Sequence, residues 1–226
     1  MPGRGDARRD RLRQARLYVV TGARQAQGDL PAFLEVVLDA GADIIQLREK
    51  DAEAGDILRW SEVFRAAADR HGALFVVNDR ADLAVASGAD GVHVGQNDLS
   101  PAWARKVVGP DVIIGLSTHS SAEFDAGDPA ADYLCVGPLY ATPTKPGRPA
   151  TGLEIVHHAA NRTSDGAERR PWFAIGGIDT ALLPGVVASG AERIVVVRAA
   201  AGPDPGASVR SLRESLADSP RFLPGA

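Results

Sequence analysis

Short apolar runs recur along the chain, at residues 17–21, 44–49, 74–79, 91–95, 113–117, 133–138, 172–177 and 193–198, and a helix-like segment follows each. Apolar runs of this length are how parallel strands read when both faces of the sheet are covered. The stretches between them, among them 31–40, 57–70, 101–108 and 180–189, carry apolar residues at helical spacing, and several end in glycine as a helix C-cap would. Ala40-Gly41-Ala42-Asp43, Ser87-Gly88-Ala89-Asp90 and Ser189-Gly190-Ala191-Glu192 each stop a helix and lead into a strand, so the βα unit repeats. Eight such units predict an α/β fold, a single (β/α)8 TIM barrel. A doubly wound open sheet would call for a Gly-rich fingerprint after the first strand, and Thr21-Gly22-Ala23-Arg24 does not supply one. The expected organisation is a basic, flexible tail over residues 1–16, the barrel over 17–218 and a C-terminal tail over 219–226.

In a barrel of this kind the chemistry collects where strands end. The second run closes in Gln46-Leu47-Arg48-Glu49-Lys50, and strand alternation puts Gln46, Arg48 and Lys50 on one face. The third closes in Asn78-Asp79, and Asp98 follows the fourth. A carboxylate after a strand is by itself most often a helix cap or turn former. Two of them sharing a mouth with Arg48, Lys50 and Lys145 predict a phosphate site carrying Mg2+, a hard cation that takes a few carboxylates together with substrate phosphate. Ser117 ends the fifth strand beside them. A second phosphate site is expected where the last two strands end, at Ile175-Gly176-Gly177-Ile178 and around Val197-Arg198, because loops there commonly hold phosphate through backbone N–H groups. Residues 139–151 follow the sixth strand on the same face and read as a mobile lid. Residues 161–171 fall on the opposite face and receive no function. His93 reads as a packed barrel residue, and His119 as either a residue of the mouth or a helix cap.

Composition narrows the rest. The chain has 226 residues with 45% apolar content, enough for one large domain. A net charge of −4 argues against a general nucleic-acid binder, which needs many cations on phosphate. Six arginines crowd residues 1–16, but aspartates dilute them. No apolar stretch is long enough for a membrane span and no secretory core opens the chain, so a cytoplasmic protein is expected. The single cysteine, Cys135, lies inside an apolar run and is expected to pack. The oligomeric state stays open, a homo-oligomer included.

The motifs Gln46-Leu47-Arg48-Glu49-Lys50, Val77-Asn78-Asp79, His93-Val94-Gly95-Gln96-Asn97-Asp98, Gly115-Leu116-Ser117, Gly137-Pro138 through Thr142-Pro143-Thr144-Lys145, and Ala174-Ile175-Gly176-Gly177-Ile178 run in order through the chain. Together they resemble the thiamine-phosphate synthase family over most of residues 17–200. The resemblance implies a transferase that joins 4-amino-2-methyl-5-hydroxymethylpyrimidine diphosphate to 4-methyl-5-(2-phosphoethyl)thiazole, releasing pyrophosphate. It implies that Gln46, Arg48, Lys50, Asn78, Ser117 and Lys145 hold the pyrimidine diphosphate, with Arg48 and Lys145 catalytic. Asp79 and Asp98 would hold Mg2+, and Thr142, Thr144, Gly177, Val197 and Arg198 the thiazole phosphate. The family's route is dissociative: the electron-rich aminopyrimidine stabilises a methylene cation, which the thiazole nitrogen captures with its own lone pair. Two positions depart from the pattern, with Arg198 where serine is common and Asn97 in place of a frequent glutamate. The competing readings are a thiazole tautomerase, which would not need the pyrophosphate clamp, and a non-catalytic barrel that binds phosphate ligands, against which the carboxylate pair for Mg2+ argues.

Overall fold

The computed structural model describes residues 3–141 and 149–217. Eight strands, β1 (Leu17–Thr21), β2 (Ile44–Leu47), β3 (Leu74–Asn78), β4 (Gly91–Val94), β5 (Ile113–Thr118), β6 (Tyr133–Val136), β7 (Trp172–Ile175) and β8 (Ile194–Val196), pair in parallel with their sequence neighbours. β8 returns to β1, with Leu17 opposite Ile194, and closes the barrel. Around it run α2 (Leu30–Asp39), α3 (Ala54–His71), α4 (Ala81–Ala86), α5 (Pro101–Val108), α6 (Ser121–Asp125), α7 (Glu154–Ser164), α8 (Leu183–Ala188) and α9 (Pro205–Ala217). A short 3-10 helix, Arg198–Ala201, follows β8. The predicted single (β/α)8 barrel is therefore what forms.

The period of two along each strand divides the core. Val19, Ile45, Phe75, Val92, Ile114 and Leu134 face out and pack under the helices. Tyr18, Ile44, Val76, Tyr133, Cys135 and Phe173 face in and fill the barrel. Cys135 is buried, as expected of a small apolar packer.

The N-terminal segment departs from expectation. The residues read as a solvated tail, 1–16, instead carry α1 (Arg4–Gln14), docked on the base of the barrel. Leu12, 2% exposed, joins Ala15 in the inner core and stoppers the end away from the mouth. Arg8 donates from Nε to Asp90 at 2.9 Å and from its terminal nitrogens to the carbonyls of Asp111 and Ala89. Arg9 reaches Asp132 at 2.8 Å. A helix charged on nearly every side shows no apolar stripe, and its partners become visible only once the barrel base is assembled.

That base is built on a repeated joint. Asp43, Asp90 and Asp132 stand just before β2, β4 and β6, and the N–H of each donates to the carbonyl of a residue at the start of the preceding strand, respectively Leu17, Phe75 and Ile114. The carboxylate of each takes back that same residue's N–H, at 2.9, 3.0 and 2.8 Å. Each carboxylate also pairs with an arginine on a helix outside: Arg213 of α9 with Asp43, Arg65 of α3 with Asp90, and Arg105 of α5 with Asp132. Burial would raise the Asp90 carboxyl, yet the Arg65 hydrogen bond, the Phe75 N–H and the charges of Arg65 and Arg8 hold it below its ordinary value.

Candidate active site

Strand ends bring most of the predicted residues to one mouth. A cavity of about 200 Å3 is lined by Arg48, Lys50, Asn78, Asp79, Asp98 and Ser117, with His93 and Gln96 beside them. A second, of about 240 Å3, lies across the mouth against Gly176, Gly177, Val197 and Arg198. Ser117 lines both, and so stands at their junction.

In the first cavity the Lys50 ammonium lies 3.0 Å from Asp79 Oδ2. Asp79 has φ of 61°, a left-handed turn that aspartate tolerates better than most side chains. The turn is fixed by its N–H, which donates to the carbonyl of His93 at 2.8 Å. Burial raises the Asp79 carboxyl; the Lys50 hydrogen bond pulls it back, and the neighbouring Asp98 carboxylate pushes it further up. Asp98 is itself held by the Gly95 N–H at 2.8 Å.

Two carboxylates side by side repel unless a cation lies between them, and with a diphosphate's oxygens they make a donor set that Mg2+ accepts. Among the described residues no group of three or more His, Cys, Asp or Glu side chains could hold a metal. The pair fits an ion shared with substrate phosphate, in place of an all-protein cage.

Beneath the cavities runs a buried polar chain. Gln46, 3% exposed, donates from Nε2 to the Tyr18 hydroxyl at 2.5 Å. Tyr18 meets the Tyr133 hydroxyl at 3.1 Å, and Tyr133 meets His93 Nδ1 at 3.0 Å. His93 Nε2 then meets Ser117 Oγ at 2.9 Å. Gln46, Arg48, Asn78, His93 and Ser117 line a narrow space above this chain that joins the two sides. Gly115 makes the chain fit, because a Cβ there would stand 2.1 Å from Tyr133 Cζ and 2.5 Å from His93 Nδ1.

The second cavity depends on two further glycines. Gly176 and Gly177 have φ of 107° and 72°, and a Cβ on the first would come within 2.4 Å of Pro138 Cα. Their turn is tied to the loop after β6: Leu139 and Tyr140 donate to the carbonyls of Ile175 and Gly176. Across that loop the Thr151 N–H and hydroxyl both bond the Pro138 carbonyl. The 3-10 helix opens at Arg198, an exposed side chain that lines the cavity with its backbone neighbours Val197 and Ala199. His119, whose two readings were open, lines this cavity and hydrogen-bonds the Gly137 carbonyl through Nδ1. Thr142, Thr144 and Lys145 lie outside the described residues.

Sequence reasoning missed Tyr18, Tyr133 and Glu49. The tyrosines sit in apolar runs and count there as hydrophobic; their shared inward parity with Gln46 and His93, and the need of a buried hydroxyl for a partner, were the available signal. Glu49 accepts the Ala23 N–H at 2.6 Å and fixes the loop after β1, a contact no local pattern announces.

Known proteins resemble this chain over most of its length. The thiamine monophosphate synthase family profile matches residues 17–200. A thiamine-phosphate synthase of Acidothermus cellulolyticus is 54% identical over 209 residues, covering 91% of this chain and 97% of that protein. One from Streptomyces avermitilis is 49% identical over 214 residues, 93% of this chain and 98% of its own. Among solved structures, a thiamine phosphate pyrophosphorylase from Pyrococcus furiosus superposes with a TM-score of 0.80 at 29% identity, over 93% of this chain and 98% of that one.

Proposed function

The chain belongs to the thiamine monophosphate synthase family and condenses 4-amino-2-methyl-5-hydroxymethylpyrimidine diphosphate with 4-methyl-5-(2-phosphoethyl)thiazole to give thiamine phosphate and pyrophosphate; we propose that the two cavities meeting at Ser117 divide these substrates between them. The observation that carries this reading is the pairing of a cation-and-carboxylate cavity with a glycine-lined one across a single serine. The first takes the diphosphate and the second the thiazole phosphate.

Arg48 and Lys50 then bind the diphosphate and neutralise the charge that grows on it as its bond to the pyrimidine methylene breaks, a contribution strongest in the transition state. Lys145 adds a third cation from the loop after β6. Asp79 and Asp98 hold Mg2+, whose chemistry there is to offset negative charge on the diphosphate oxygens. Gln46 and Asn78 orient the pyrimidine end, with Gln46 kept in place by Tyr18. The thiazole nitrogen brings its own lone pair to the methylene carbon, so the site requires no strong general base. Gly177, Val197 and Arg198, with Thr142 and Thr144, hold the thiazole phosphate close to the junction.

Both substrates are small, soluble and phosphorylated, which suits a cytoplasmic enzyme, and no helix among the described residues is long and apolar enough to cross a membrane. Incubation with both substrates and Mg2+, followed for thiamine phosphate and equimolar pyrophosphate, tests the whole reading. Binding of both substrates without product would overturn it in favour of a non-catalytic barrel. Isomerised thiazole without pyrophosphate would point to the tautomerase.

Arg198 offers a finer test, since it lines the second cavity and its guanidinium would add a cation to the thiazole phosphate. The expected result for Arg198→Ser is a Michaelis constant for the thiazole about tenfold to a hundredfold higher, the worth of a charge-assisted hydrogen bond of roughly 1.5–3 kcal/mol, with the pyrimidine constant unchanged. Steady-state kinetics with each substrate varied in turn would read this directly. Parental constants would leave the backbone N–H groups as the sole phosphate donors.

A further inference from the structure

The joint described at the base of the barrel occurs before β2, β4 and β6, and the fourth position, before β8, is built differently. Glu192 stands where the aspartates stand, but among the described residues it takes no strand N–H and meets only its neighbour Arg193, at 3.3 Å. α7, which occupies the place of α3 and α5, sends no arginine to it, since Arg162 pairs with Asp125. In place of a joint there is a cavity of about 260 Å3. Its walls carry Arg13 of α1, Arg169 and Arg170 before β7, and Arg193 before β8, against Glu192 as the one lining carboxylate among the described residues. This is the stretch, 161–171, to which the sequence assigned nothing.

These cations are not equally answered. Arg170 is satisfied by Glu168 at 2.5 Å and by the carbonyls of Gly127 and Asp128. Arg13 pairs with Asp10 on the surface. Arg169 has no carboxylate partner among the described residues. Arg193 donates to the Arg13 carbonyl at 3.1 Å, while its Nε is buried with no partner among the described residues. Burial lowers the Arg193 guanidinium from its usual value and the charge of Arg16 lowers it further, against Glu192. A half-buried guanidinium among like charges is a site short of an anion.

We propose that this cavity binds a compact phosphoryl oxyanion, at the end of the barrel opposite the mouth, in the place that a carboxylate fills at the other three joints. A tetrahedral oxyanion matches guanidinium forks and would draw together α1, the end of α7 and the starts of β7 and β8. It would act as a ligand of the folded state and stiffen the quarter of the base that lacks a joint.

Thermal unfolding with inorganic phosphate as the probe tests this, with sodium chloride at matched ionic strength as the control. The mouth also binds phosphate groups at two places, so the measurement uses an Arg48→Ala/Lys50→Ala/Arg198→Ser background. At phosphate about ten times its dissociation constant, the melting temperature of that background is expected to rise by roughly 3–6 °C beyond the chloride control. Adding Arg193→Gln abolishes the rise. Arg169→Gln, an exposed substitution with no structural cost, weakens phosphate binding about tenfold and keeps the result readable if the Arg193 variant folds poorly. The proposal is overturned if phosphate up to about 50 mM, five times a weak 10 mM constant, gives the background no rise above chloride. It is overturned equally if the rise survives both arginine substitutions unchanged.

Discussion

Asp79→Ala is expected to lower kcat/KM by about a thousandfold while leaving the fold intact, and an excess of EDTA should do the same to the parent enzyme. The reasoning is electrostatic. Asp79 and Asp98 crowd one cavity with Lys50, whose ammonium lies 3.0 Å from Asp79, and a metal shared with the diphosphate is worth several kcal/mol of charge stabilisation, of which about 4 kcal/mol corresponds to three decades of rate. Asp79 is half-buried at a turn and does not belong to either apolar core, so its removal takes little packing with it. Steady-state turnover together with an unfolding curve separates the two effects. Full activity in EDTA, or an Asp79→Ala enzyme that turns over like its parent, would remove the metal from the mechanism.

Asp90→Ala should be the most damaging single change to stability, at about 3–5 kcal/mol, because it strands charge in the interior. Arg8 and Arg65 both close on this carboxylate, at 2.9 and 2.7 Å, and the Arg8 side chain is only 7% exposed. The Phe75 N–H loses its acceptor as well. Since the folded carboxyl is held below its ordinary value of 3.8, its contribution is fully present above that pH and is lost as the pH falls through the lower folded value. The parent should therefore lose stability on acidification below about pH 4, in a window where the variant's profile is flatter. Chemical denaturation across pH would show this; a variant whose midpoint matches the parent at neutral pH would mean that Arg8 and Arg65 find other partners.

The barrel was legible because all of its strands read as apolar runs and three of them, β2, β4 and β8, are announced again by the Gly-Ala-acid phrase that precedes them. Arg48, Lys50, Asp79, Asp98 and Ser117 were legible because strand ends of a barrel converge whatever the intervening sequence does. What escaped depends on partners far along the chain. Arg8 is one of six arginines in the first 16 residues, and nothing local distinguishes it from Arg4 or Arg16. Its role follows from Asp90, which lies 82 positions away. Tyr18 and Tyr133 were absorbed into apolar runs because a phenol looks hydrophobic until its hydroxyl has a neighbour, and that neighbour is set by barrel register. The Glu49 carboxylate was read as part of a charged cluster, whereas its contact is with the backbone of another loop.

The aspartates before β2, β4 and β6 fasten strands in twos: β1 to β2, β3 to β4, β5 to β6. The repeating part of this barrel is therefore a module of two strands and two helices, twice the unit that the sequence pattern displays. Severing the chain inside a module parts an aspartate from the strand it holds. Severing it between modules keeps each aspartate with the strand it holds and divides it only from the arginine on the helix outside, so new termini placed there cost the base less fastening than a cut inside a module.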